Sequence, residues 1–250
     1  MVENTSRKKI STGRSALIAV AFIAWAAFSF VAGQFIIGSL YAWLAPSIPS
    51  LQSMNESALM ATLTALSWMV TLTIALGGPY FFLKQRVTRE EIGLQRLPTW
   101  AEIGLAAAGY VASSILAAVV VFLISSMIPG FNADQAQDVG FSNLVFRYEF
   151  ILAFVTLVVV APFVEEIFFR GYLYSRLKKY LPTWVAIIIV SALFGIAHGQ
   201  VNIGIMTFVM SIFLCLLRDL TGSLWPAITM HMIRNGVAFV FLFVAPVLIN

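Results

Sequence analysis

Ser15 to Asn55 reads SALIAVAFIAWAAFSFVAGQFIIGSLYAWLAPSIPSLQSMN, and none of these residues is charged. A helix crosses a bilayer with about 20 consecutive, mostly apolar residues. The stretch from about Ala16 to Leu44 exceeds that, and Pro46 and Pro49 stop it. Arg7, Lys8, Lys9 and Arg14 precede it, as basic residues precede a secretory signal. A signal's apolar segment is only about 7–15 residues, however, so an uncleaved first span is expected.

The rest of the chain repeats the pattern. Of the 250 residues 60% are hydrophobic and 10% charged, and the mean hydropathy is +0.93. So little charge cannot cover a water-soluble surface, since soluble chains carry about 25%. The net charge of +4 is scattered, which argues against a nucleic-acid footprint. Charges and breakers mark further spans at about Ala58–Leu83, Ile103–Ile128, Phe150 past Pro162, Pro182 to His198, Ile203–Leu217 and Leu224–Val247. The fifth and sixth are short. The expected fold is an all-α polytopic transmembrane bundle of about seven spans, six to eight being compatible with the pattern. It forms a single integral-membrane domain over 1–250, with residues 150–245 as the motif-bearing core.

Basic residues sort to one side under this topology: Arg7, Lys8, Lys9, Arg14, Lys84, Arg86, Arg89, Arg96, Arg176, Lys178, Lys179 and Arg218. The opposite loops hold Arg147 with Glu56, Asp134, Asp138 and Glu149. The positive-inside rule then puts the N-terminus in the cytoplasm; the expected membrane is of bacterial cytoplasmic type. Arg176, Lys178 and Lys179 read as interfacial anchors. The lone cysteine, Cys215, reads as a small apolar filler, and Phe168 with Phe169 as lipid or core packing.

Ionisable groups at membrane depth are costly and point to function. Here they cluster late: Glu165, Glu166 and Arg170 in the fourth span, His198 closing the fifth, and His231, Arg234 and Asn235 in the seventh. Glu166 and Arg170 are four apart and share a helix face. Glu165 points about 100° away from Glu166, so one acid can be locked by Arg170 while the other faces a cavity. His231 and Asn235 also share a face. Pro162, one turn before Glu165, predicts a kink that frees backbone carbonyls. A straight-helix reading places Glu165 and His198 at different depths, unless the fourth helix runs on with Arg170 buried against Glu166. The apolar Gly171-Tyr172-Leu173-Tyr174 favours that arrangement.

These residues resemble a known family. E-E-x-x-x-R, F-x-x-x-H and H-x-x-x-N are the motifs of the CPBP intramembrane proteases, also called the ABI or type II CAAX-prenyl endopeptidase family. Here they read Glu165-Glu166…Arg170, Phe194…His198 and His231…Asn235. Thr221 to Ala227 and Glu90-Glu91-Ile92-Gly93-Leu94 are similar to the family's flanking segments, while the first 80 residues carry no signature.

The resemblance implies an intramembrane endopeptidase acting on membrane-associated substrates. Glu165 and His198 would activate a water, His231 and Asn235 would hold the oxyanion, and Glu166 and Arg170 would support them. Cofactor use stays open. Were zinc bound, Glu165, His198 and His231 would be its ligands, a His₂Glu set. Against that, no H-E-x-x-H pair is present and Asn235 in register with His231 suits an oxyanion role. The implied partners are membrane lipid and a peptide or membrane-protein substrate, with nothing that demands a prenyl group, and no nucleic acid. A non-enzymatic membrane scaffold or immunity protein of the same fold is the alternative. A proton-coupled transporter is a third reading, disfavoured by the lack of internal repeats.

Overall fold

The computed structural model describes residues 12–246 except Asp134, Ala136, Asp138, Ser142 and Asn143. Arg7, Lys8 and Lys9 of the expected cytoplasmic cluster, and Asp134 and Asp138 of the opposite loop, lie outside the described residues.

Seven main helices follow one another: α1 (Thr12–Leu44), α2 (Glu56–Leu83), α3 (Trp100–Met127), α4 (Arg147–Leu177), α5 (Thr183–Ala197), α6 (Val201–Thr221) and α7 (Trp225–Val244). Among the described residues no strand occurs. Six of the helices are long and apolar enough to cross a membrane, and the 15-residue α5 is the exception. The chain is an all-α, multi-pass integral membrane protein. Large apolar side chains such as Phe35, Trp43, Phe122 and Ile115 stay exposed on its surface, as lipid-facing residues must.

Local chemistry sets the helix ends. Asn55 caps α2 through Oδ1, which accepts from the backbone N–H groups of Ser57 and Ala58. Thr99 and Glu102 form a capping box at α3, and Arg96 grips both Glu102 oxygens at 2.7 and 2.8 Å. The Gly77-Gly78-Pro79 sequence does not end α2, which runs on to Leu83 and stops at Lys84 with φ 57°.

α4 departs most from a regular helix. Two π-helical stretches, Val155–Val160 and Ile167–Tyr174, flank the segment that holds Pro162, Glu165 and Glu166. Such bulges are frequent at functional sites. α4 also runs seven residues beyond Arg170, with Arg170, Gly171, Tyr172, Leu173 and Tyr174 fully buried or nearly so. This is the deeper-running arrangement, and it removes the depth conflict between Glu165 and His198.

α5 and α6 form a tight hairpin. A Cβ at Gly195 would stand 2.6 Å from the Gly204 carbonyl oxygen, so the two backbones touch. Gly195→Ala is therefore expected to pry the hairpin apart, by analogy with overpacked cores at about 1–3 kcal/mol. A fall in the melting temperature, with His198 three residues away displaced and activity reduced, would register it.

Arg176, Lys178 and Lys179 are not free interfacial anchors. Arg176 and Lys179 both reach Glu91, at 3.0 and 2.6 Å, and Lys178 pairs with Asp219. Arg218 donates to the Glu91 carbonyl, and the Leu224 N–H to the Gly93 carbonyl. The Glu90–Leu94 segment thus cross-links the ends of α4 and α6 to the start of α7. Phe168 and Phe169 pack in the core, and Cys215 is a buried free thiol there.

Candidate active site

Three helices bring the ionisable residues to one place. α4 supplies Glu165, His198 closes α5, and α7 supplies His231, Arg234 and Asn235. All five line a cavity of about 340 Å³. Its other walls include Phe30 and Gln34 of α1, Thr64 and Trp68 of α2, and Gln137 and Val139 of the loop before α4. A space of this size admits several waters, and its polar lining offers them partners.

The two adjacent glutamates divide as their angular offset dictates. The Glu165 side chain is 18% exposed and faces the cavity. Glu166 is fully buried and turned away, its Oε1 accepting from Arg170 Nη1 at 2.8 Å and from His231 Nδ1 at 2.8 Å. A carboxylate oxygen only accepts, so Nδ1 of His231 carries the proton in that contact. His231 Nε2 stands 3.9 Å from Glu165 Oε2, beyond hydrogen-bond length yet within reach of one shared water.

His198 is fixed in the same manner from another direction. Its Nδ1 donates to the Phe194 carbonyl at 2.8 Å, which leaves the Nε2 lone pair of the neutral ring for the site. Glu165 and His198 line the same cavity, but the ion-pair-range contact of Glu165 is with His231 and not with His198.

Phe194 organises these rings. Its ring is fully buried, with His198 at 4.8 Å, His231 at 5.6 Å and Phe169 at 5.0 Å, each edge-on. The Arg170 guanidinium lies 4.3 Å from the ring centroid. The F-x-x-x-H spacing contains Phe194, yet spacing alone gives no hint that one ring contacts both imidazoles and the buried cation.

Pro162 links α4 to Asn235. In the π-helical register the Ala161 N–H bonds the Thr156 carbonyl, five residues back. The next carbonyl, Leu157, would need the nitrogen of Pro162, which has no hydrogen. Asn235 Nδ2 fills that vacancy, donating to the Leu157 oxygen at 2.8 Å. Arg234 Nη1 donates to Asn235 Oδ1 at 3.0 Å.

The donor types Glu165, His198 and His231 are those of a zinc set of the His₂Glu type. Among the described residues no three His, Cys, Asp or Glu side chains are grouped closely enough to share a metal ion.

Several contributors escaped the sequence reading. Gln34 and Thr64 are polar residues inside spans, a visible signal, but no spacing tied them to the motifs. Asn202 and Gln200 donate to the Gln135 carbonyl, and Asn202 also to that of Ala133, pinning the loop whose Gln137 and Val139 close the cavity. This accounts for the polar turn after His198.

Residues 147–237 match the family described as type II CAAX prenyl endopeptidase Rce1-like. No curated protein and no solved structure matches the chain. The matched segment spans α4 through most of α7 and contains every ionisable residue of the cavity.

Proposed function

We propose, from the match of residues 147–237 to the type II CAAX prenyl endopeptidase Rce1-like family, that this chain is a CPBP-family intramembrane endopeptidase cleaving membrane-associated peptides or proteins. The observation that carries this reading is the convergence of Glu165, His198, His231 and Asn235 on one cavity within a membrane bundle. Hydrolysis of a peptide bond needs a water, a base for its proton and donors for the tetrahedral oxyanion. The cavity offers each. Residues 150–245 form the catalytic core, while α1 and α2 contribute wall.

The reaction assigned to this site begins with Glu165 accepting a proton from a water that also bonds the His198 Nε2 lone pair. The water oxygen bonds the scissile carbonyl carbon, and the carbonyl electron pair moves onto its oxygen. Asn235 has one amide hydrogen on Leu157 and a second for that oxyanion. With its Nδ1–H committed to Glu166, His231 serves the oxyanion through Nε2 only as the imidazolium, which carries a second proton there. As the intermediate collapses the C–N bond breaks, and the proton held by Glu165 passes to the leaving amine. Glu166 and Arg170 touch no substrate in this scheme; they hold the His231 ring.

The positive-inside reading puts the N-terminus, the Glu91 network and the ends of α4 and α6 at the cytoplasmic face. Nothing in the cavity demands a prenyl group. With no three donors grouped for an ion, activity of zinc-depleted protein is expected to survive strong chelators. The test is cleavage of a membrane-anchored peptide by the full chain in proteoliposomes. His198→Ala should lower turnover by about 10²–10⁴. Turnover unchanged in that variant, with wild type active, would remove His198 from the chemistry.

A further inference from the structure

We infer that Arg234 is a positioning residue of the oxyanion site, holding the Asn235 amide in the one orientation that turns an N–H into the cavity. The inference rests on the hydrolase reading above.

A side-chain amide fits its space almost equally well in two orientations that exchange O and NH₂, so its neighbours must choose. At Asn235 they choose from both ends. The guanidinium of Arg234 is a donor only, so the atom facing its Nη1 at 3.0 Å is Oδ1. The Leu157 carbonyl is an acceptor only, so the atom facing it at 2.8 Å is Nδ2. A flipped amide would set donor against donor and acceptor against acceptor. One Nδ2 hydrogen goes to Leu157, and the second is left for the cavity that Asn235 lines. Leu157 in turn is available only because Pro162 brings no N–H. The proline, the asparagine and the arginine therefore form one chain of dependence.

Among the described residues Arg234 has no carboxylate within ion-pair distance; its hydrogen bond goes to Asn235, and Glu165 acts on it electrostatically from the same cavity. An unpaired guanidinium within a span is costly unless water reaches it. Arg234 lines both the site cavity and a second one, of about 240 Å³, whose walls include Tyr110, Ser113 and Ser114. Both are large enough for water. A charged donor on Oδ1 also polarises the amide and strengthens its N–H groups as donors.

The test is a double-variant cycle on the full chain in proteoliposomes with a membrane-anchored peptide. Asn235→Ala should lower kcat by about 10²–10³. Arg234→Met should lower kcat by about tenfold or more with KM unchanged, the loss of one charge-assisted hydrogen bond. Combined, the two should cost no more than Asn235→Ala alone, because Arg234 acts through Asn235. Arg234→Lys, which keeps a cationic donor, should recover much of the loss, and it stands in if Arg234→Met does not fold. Multiplying losses, or a rise in KM at constant kcat, would overturn the positioning role. A large Asn235 effect beside a silent Arg234→Met refutes this inference alone. A silent Asn235→Ala refutes the oxyanion reading and the inference with it.

Discussion

Glu165→Gln is expected to abolish proteolysis while the protein stays folded in the membrane. The substitution keeps the shape of the side chain and removes its capacity to take a proton. Among the described residues Glu165 makes no hydrogen bond that holds the fold: its contact with His231 is 3.9 Å, and it faces the cavity. Removing a general base lowers rates by about 10²–10⁴. Turnover of a membrane-anchored peptide should fall by that factor, with an unchanged melting temperature. Activity within twofold of wild type would sink the assignment of Glu165 as the base.

Arg170→Ala should act in the opposite way, on stability first. Arg170 and Glu166 are both fully buried, 2.8 Å apart and four residues apart on α4. Removing one member of a buried pair leaves the other charge uncompensated, at about 3–5 kcal/mol. Glu166 would keep only the His231 Nδ1 contact, and Phe194 would lose the cation on its face. Lower expression and a sharp fall in the melting temperature are the expected readouts. A variant as stable as wild type but inactive would move Arg170 from the scaffold into the chemistry.

Both expectations depend on a division of labour between neighbouring glutamates that the sequence already contained. Consecutive positions on a helix diverge by about 100°, so Glu165 and Glu166 could not face one point. The spans were legible for the same elementary reason, charge-free runs of sufficient length, and α1 begins only four residues before its expected start at Ala16. The short α5 was legible too, but α6, also read as short, is 21 residues and long enough to cross. What the sequence did not display is what non-local contacts decide. No periodicity announces the π-helical register of α4. The fastening of the 130–140 loop by Asn202 joins residues nearly 70 positions apart. The α1 and α2 walls come from a region whose apolar pattern says only that it spans. The acidic partners of the basic run at Arg176, Glu91 and Asp219, lie 85 and 41 residues away in sequence.

Peptide hydrolysis inside this cavity is tested most directly by mass spectrometry of the membrane proteins of cells making either the wild-type chain or Glu165→Gln. An endopeptidase built on Glu165 predicts truncated membrane-protein termini in the wild-type cells that disappear in the variant, at equal levels of the two proteins. Identical termini in the two samples, with both chains folded and present in the membrane, would contradict it.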